Sequence, residues 1–254
     1  RLAFTFKQLV DRIQIQMENL TQADTLRREL VANVSHDLRT PLATLQGYIE
    51  TLLLKNKRLN EKDREHHLEI AIQHCQRLSN LVDELFELAK LDSREIQVQY
   101  EPFNINELAH DVVQKFNLTA EEKRISIQID HNQHLPFANA DIAMIERVIE
   151  NLLDNAVRHT PEGGSIRIGF SSQNGDIAVS VSDTGCGIPE EDLPHVFDRF
   201  YHKDRTQESK TGYSGLGLAI SRRILELHNK SIIVESKVGS GTIFIFFLTA
   251  YHPS

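Results

Sequence analysis

Apolar residues recur at near-heptad spacing from Leu9 to Ala89. Leu9, Ile13, Met17 and Leu20 begin the stripe, and Leu30, Val34, Leu38, Leu42, Leu45, Ile49 and Leu52 continue it. A strand repeats every second residue and cannot satisfy this pattern, which is the seam of a coiled coil or bundle helix. The polar run KNKRLNEKD at 55–63 interrupts it, and a second stripe follows through Leu68, Ile72, Cys75, Ser79, Val82, Phe86 and Ala89. A short connection between two long helices folds them into an antiparallel hairpin. Two helices alone cover little core, so a second copy is expected to complete a dimeric four-helix bundle.

The texture changes near Tyr100. EPFNINELAHDVVQKF reads as the end of a strand, an asparagine cap and an amphipathic helix, and 141–158 reads as another such helix. Ile125, Ile127 and Ile129 alternate as a strand does. Further strands are expected at Ser165–Phe170, Ile177–Val181, Ile232–Glu235 and Thr242–Leu248, the last two joined by the turn KVGSG. Helices and strands mix without regular alternation, which predicts an α+β sandwich. A chain of 254 residues is also long for one small core. The fold expected is therefore multidomain, a long helical hairpin followed by a two-layer α/β sandwich.

Charge and cysteine usage exclude several roles. A net charge of −8 is unsuited to a nucleic-acid surface, which needs clustered Lys and Arg. Cys75 and Cys186 match neither a metal nor a redox spacing and read as reduced thiols. No apolar run approaches the roughly 20 residues a bilayer span requires, and TIFIFFLTAY, β-branched and aromatic, suits a core strand. No signal peptide is recognisable, and the chain opens on Arg1, so a fragment with further segments upstream is expected.

The octet SHDLRTPL at 35–42 stands out on the first helix. At about 100° per residue, His36 points about 160–200° away from the seam residues Val34 and Leu38, outward from the bundle. Asp37 is adjacent, and Thr40 lies one turn on along the same face. Pro41 cannot donate to the Asp37 carbonyl and is expected to bend the helix, at a cost of about 3 kcal/mol that invites a functional explanation. A neutral imidazole is a good nucleophile near neutral pH, and a neighbouring carboxylate can take or hold the ring proton.

Three later stretches point toward phosphate and a purine base. In NLLDNAVRHT (151–160), Asn151 and Asn155 are one turn apart beside the apolar stripe Ile145, Val148, Ile149, Leu152 and Ala156, with Arg158 following. Two amide oxygens on one helix edge suit a Mg²⁺ that keeps several waters, and the guanidinium suits phosphate. In DTGCGIP (183–189), Asp183 extends the period-two row of Ile177, Val179 and Val181. A carboxylate in an apolar row needs a donor, which an adenine amino group supplies, while Gly185 and Gly187 let backbone close on the base. GYSGLGLAI (212–220) is a glycine-rich loop feeding the helix SRRILELH. Backbone N–H groups at a helix start favour phosphate, yet Leu218 stands where a P-loop needs Lys, and neither GxG has a dinucleotide fold's third glycine.

In order along the chain, SHDLRTPL, NLLDNAVRHT, DTGCGIP, FDRFY (197–201) and GYSGLGLAI resemble the H, N, G1, F and G2 boxes of sensor histidine kinases. RLAFTFKQLVDRI resembles the exit of a HAMP signalling linker. The resemblance implies a signalling helix over 1–24, a dimerisation and phosphotransfer hairpin over 25–94, a linker over 95–101 and an ATP-binding domain of the gyrase/Hsp90-like type over 102–254. It implies His36 as the phosphoacceptor from ATP, Asp37 as its general base and Thr40 as support for dephosphorylating a response regulator. Asn151 and Asn155 would hold Mg²⁺, Arg158 the phosphates, and Asp183 the adenine. His159, Gly185, Gly187 and Ile188 would shape the pocket, Gly215, Leu216 and Gly217 would anchor a lid, and Lys203, Arg205 and Lys210 are its candidates for the γ-phosphate. His159 departs from the usual Tyr or Phe, and Tyr213 from a frequent glycine. Partners so implied are a second copy of the chain and a receiver domain, with no nucleic acid. The chain would be the cytoplasmic part of a protein anchored in the bacterial inner membrane by upstream segments. Two other readings are a plain ATPase of the same superfamily, disfavoured because Asn151 stands where a glutamate activates water, and a scaffold that binds ATP or a regulator without turnover.

Overall fold

The computed structural model describes residues 17, 34–35, 38–54, 59–93, 96–130, 135–173, 175–201 and 215–251. The chain forms two compact units, Arg1–Val82 and Asp83–Ser254.

In the first unit, residues 38–54 form helix α1, which runs unbroken through a buried Pro41, and Glu61 begins helix α2 (Glu61–Asp92). Asn60 caps α2: its side-chain oxygen accepts from the Asp63 N–H at 2.7 Å, and Glu61 and Asp63 place negative charge at the helix start. The Tyr48 ring meets His67 edge-on at 5.2 Å, so α1 and α2 pack as the expected hairpin. Within one chain, the near-heptad stripe of α2 stays largely uncovered. Ala71 and Leu81 are buried, whereas Leu68 and Ile72, the latter 68% exposed, face outward, as do Leu42 and Ile49 of α1. The helix carries two apolar faces, and only one is used within the chain.

The second unit takes in the last turns of α2, where Leu88 and Leu91 are buried. Strand β1 (Glu101–Phe103) pairs antiparallel with β3 (Ala138–Ala140). Between them lie α3 (Ile105–Glu122), capped by Asn104 as expected, and β2 (Ser126–Ile129). Helix α4 (Ile142–His159), strands β4 (Ser165–Gln173) and β5 (Asp176–Asp183), a short 3₁₀ turn (Leu193–His195), α5 (Gly217–Leu227), β6 (Ile232–Lys237) and β7 (Gly241–Thr249) follow. The main sheet has the order β2-β4-β5-β7-β6, with β2 and β4 parallel and every other pair antiparallel. Alternate residues Ile166 and Ile168, Ile177, Val179 and Val181, and Phe244, Phe246 and Leu248 are buried. They form the sheet side of the core. Opposite lies α4, flanked by α3 and α5.

Helix α4 supplies Ile145, Val148, Ile149, Leu152 and Leu153 to this core, all fully buried. Each such side chain stabilises the fold by about 1.5–3 kcal/mol, enough to fix the helix rigidly on the sheet. The strands run longer than the alternation alone marks, and α5 begins at Gly217, inside the stretch expected as loop. There Leu216, Leu218, Ala219 and Ile220 are buried, and packing outweighs the poor helix propensity of glycine. The stretch 202–214 lies outside the described residues.

Candidate functional site

The site is built on the C-terminal half of α4. Asp141 caps that helix by accepting from the Met144 N–H at 3.2 Å, and Arg158 and His159 place basic groups in its last turn. Because Leu152 and Ala156 must face the sheet, Asn155 is carried into the margin of the core and is only 8% exposed. Asn151, one turn earlier, is half-buried, and its amide nitrogen donates to the Gly217 carbonyl at 3.0 Å and to the Ser221 hydroxyl at 3.2 Å. That bonding turns the amide oxygen of Asn151 away from those acceptors. Arg158 donates to Asp154 at 3.0 Å, a neighbour along its own helix.

Asp183 ends β5 on the core side, paired in register with Thr242 of β7, and is 8% exposed. Burial pushes its carboxyl pKa up; backbone N–H groups of Gly185 and Thr242 and the nearby His159 oppose the shift without cancelling it. The Gly185 N–H lies 2.7 Å from the carboxylate oxygen. A carboxylate in this position is able to accept from an exocyclic amine.

The loop after Asp183 runs between the end of α4 and the β6–β7 turn. The Cys186 N–H donates to the His159 carbonyl at 3.4 Å, the Gly239 N–H to the Cys186 carbonyl at 2.8 Å, and the Ile188 N–H to the Ser236 hydroxyl at 2.8 Å. Both loop glycines are required by the protein itself. A Cβ on Gly185 would lie 2.6 Å from the Asp183 carboxylate and from the His159 carbonyl oxygen. At Gly187, with φ of +72°, a Cβ would collide with the Lys237 carbonyl. The close approaches found at these glycines are thus to neighbouring backbone and side chain, whereas the sequence pattern had them admit a base.

The glycine-rich stretch enters the described structure at Gly215, whose φ is +70° and whose carbonyl accepts from the Phe200 N–H at 3.1 Å. Phe200, in FDRFY, is itself left-handed at φ +60° and buried. Leu216 caps α5 with backbone only. Leu216 thus supplies no side-chain acceptor to the first turn of α5, and N–H groups at a helix start favour an anion.

The structure thus brings Asn151 together with Gly217, and Asp183 with Gly185 and the end of α4. Thr40, on α1, is exposed and its carbonyl accepts from the Thr44 hydroxyl at 3.0 Å. His36, Asp37, Lys203, Arg205 and Lys210 lie outside the described residues. Ser221 and Thr242 escape the sequence reading. Ser221 leaves a faint signal, a polar residue one turn after Gly217 on an otherwise apolar helix face. Thr242 leaves none, since its place opposite Asp183 depends on strand register.

Comparison with known proteins decides what this arrangement belongs to. Residues 26–94 match the His Kinase A (phospho-acceptor) domain, and residues 140–252 match the histidine kinase-, DNA gyrase B-, and HSP90-like ATPase family. The chain belongs to the sensor histidine kinases. Among relatives of this histidine kinase, the sensor histidine kinase WalK of Bacillus subtilis (strain 168) is 34% identical over 231 residues, which cover 89% of this chain. The aligned region is 37% of WalK, so the chain spans little more than a third of that relative. Two solved structures share the fold. Full-length ShkA in complex with AMPPNP is 28% identical with a TM-score of 0.65, covering 89% of this chain and 47% of ShkA. The histidine kinase ThkA in complex with the response regulator protein TrrA is 27% identical with a TM-score of 0.73, covering 88% of this chain and 61% of ThkA.

Proposed function

We propose that this histidine kinase phosphorylates its own His36 from ATP, passes the phosphoryl group to an aspartate of a response-regulator receiver domain, and also dephosphorylates that regulator. An imidazole nitrogen of His36 attacks the γ-phosphorus, the bond to the β–γ bridging oxygen breaks, ADP departs, and Asp37 takes the ring proton. The receiver carboxylate then displaces the imidazole. Thr40 orients water for the reverse task of clearing the regulator.

The nucleotide lies with adenine against Asp183, between the Gly185–Ile188 loop and the end of α4 where His159 sits. Its phosphates lie toward Arg158 and the Gly215–Gly217 end of α5, and Lys203, Arg205 and Lys210 are the lid cations for the γ-phosphate. The amide oxygens of Asn155 and Asn151 suit Mg²⁺: Asn155 is held at the pocket margin, and the nitrogen of Asn151 is already committed to α5, leaving its oxygen as the ligating atom. The ion would neutralise charge developing on the phosphate oxygens.

The observation that carries the reading is the amide at Asn151. Water activation needs a base, and Asn151 instead donates two hydrogen bonds, which supports transfer to an imidazole over hydrolysis. ThkA, solved with a response regulator, and ShkA, solved with AMPPNP, lend the partner and the nucleotide by likeness. The exposed stripe of Leu68 and Ile72, with Leu42 and Ile49, supports a homodimer whose four helices bury it. No helix among the described residues is long and apolar enough to cross a membrane. The HAMP-like residues 1–24 would link this catalytic part to an upstream sensor in the cytoplasmic membrane.

Incubation with γ-labelled ATP and Mg²⁺ tests the reading. Acid-labile, alkali-stable label on the chain is the expected result. Free labelled phosphate without labelled protein would mark an ATPase, and bound nucleotide with neither would mark a scaffold.

A further inference from the structure

Ser221 belongs to none of the five boxes, yet it is completely buried and lies in the hydrogen-bonded centre that joins the two helices of the nucleotide site. We propose that Ser221 is a positioning residue for phosphate binding: with Asn151 and the Gly217 carbonyl it forms a clamp that fixes the first turn of α5 against α4. The proposal rests on the nucleotide reading above.

Three polar groups meet in the clamp. The Ser221 hydroxyl donates its one hydrogen to the Gly217 carbonyl at 2.9 Å and accepts from the Asn151 amide at 3.2 Å. The same amide nitrogen lies 3.0 Å from the Gly217 carbonyl, so one of its hydrogens is shared between hydroxyl and carbonyl. Only one orientation of the Asn151 side chain satisfies both acceptors, so the hydroxyl helps decide that nitrogen faces α5 and oxygen faces elsewhere. A carboxylate at this position would set an acceptor against the Gly217 carbonyl and lose both bonds.

The clamped carbonyl belongs to the first residue of α5, in the turn whose N-cap residue Leu216 makes no side-chain cap bond. A Cβ added at Gly217 would stand 3.5 Å from the amide oxygen and carbon of Asn151, an ordinary van der Waals separation, so that amide lies beside the first turn of α5. Loss of the hydroxyl frees the amide to rotate and loosens the turn that meets the phosphates. The adenine end, organised by Asp183, Gly185 and Thr242, shares no member with the clamp.

Calorimetric titration of the chain with AMPPNP and Mg²⁺, and separately with adenosine, tests this. Ser221→Ala is expected to weaken AMPPNP about tenfold, the scale of one lost buried hydrogen bond, and to leave adenosine unchanged. Asn151→Asp, which keeps the size but removes the donors, gives the same selective loss from the α4 side. In an Asn151→Ala/Ser221→Ala cycle the double variant is no weaker than the worse single one. AMPPNP affinity within about twofold of wild type in Ser221→Ala, equal weakening of both ligands, or strictly additive effects would each overturn the proposal. Wild-type protein that fails to bind AMPPNP would instead remove the nucleotide reading beneath it.

Discussion

Asp183 is a buried acid whose ionisation costs stability. Its carboxyl is buried at the end of an apolar strand row, and desolvation raises its pKa despite two backbone N–H donors. Folded and unfolded chains then differ in proton affinity, the folded state holding the proton more tightly. Ionisation therefore costs stability progressively as pH rises from the ordinary carboxylate range through the raised value, and the cost is absent below that range. Asp183→Asn removes it. Thermal unfolding of the two proteins is expected to show wild type losing ground to the variant as pH rises from acid to neutral, with nucleotide binding weakened at least about tenfold in the variant at neutral pH. A stability difference between the two that does not change with pH would contradict the account of the shift. The acid was legible in the sequence because a period-two row made it conspicuous. The partners were not, since Thr242 and the His159 carbonyl meet Asp183 or its loop only after β5, β7 and α4 assemble. Gly185 and Gly187 were noticed for their spacing, but what they approach is the protein's own backbone and Asp183.

Among the elements, α2 divides its duties between two faces and two units. Its near-heptad stripe was plain in the sequence, yet Leu81, Leu88 and Leu91, off that stripe, are buried within the chain, with Ala71 at the stripe's margin. Periodicity reports that apolar faces exist, not which neighbour covers each one. The end of the helix is fixed in the second unit by Leu88, 2% exposed, by a Glu87–Arg147 ion pair at 2.9 Å, and by Asp92, which meets Arg199 at 2.7 Å and Arg223 at 3.3 Å. The ion pairs at Asp92 are half-exposed and contribute little each; the buried leucine dominates. Leu88→Ala is expected to lower unfolding free energy in urea by about 2–5 kcal/mol, whereas Ile72→Ala leaves it almost unchanged and weakens self-association in sedimentation. A stable monomer of the wild-type chain at micromolar concentration would remove the dimer. Other elements were legible in proportion to length. The amphipathic α3 and α4 and the core strands were expected close to where they lie, while β3, three residues long, offers no period to detect.

For the whole molecule, the order of the boxes carried more than any one of them. Asp183 closes β5, Gly217 opens α5, and Asn151 and Asn155 lie in the C-terminal half of α4. Their chemistry converges only when the sheet and helices place those ends together, so the sequence offers candidates and the fold selects among them. A phospho-acceptor domain match over 26–94 and an ATPase domain match over 140–252 lie on one chain. The central claim is that His36 receives the γ-phosphoryl group of ATP. Quantifying protein-bound label after incubation with γ-labelled ATP, for wild type and His36→Gln side by side, tests it most directly. Label on wild type and essentially none on the variant, with AMPPNP affinity equal in both, is predicted; undiminished label on His36→Gln would contradict it.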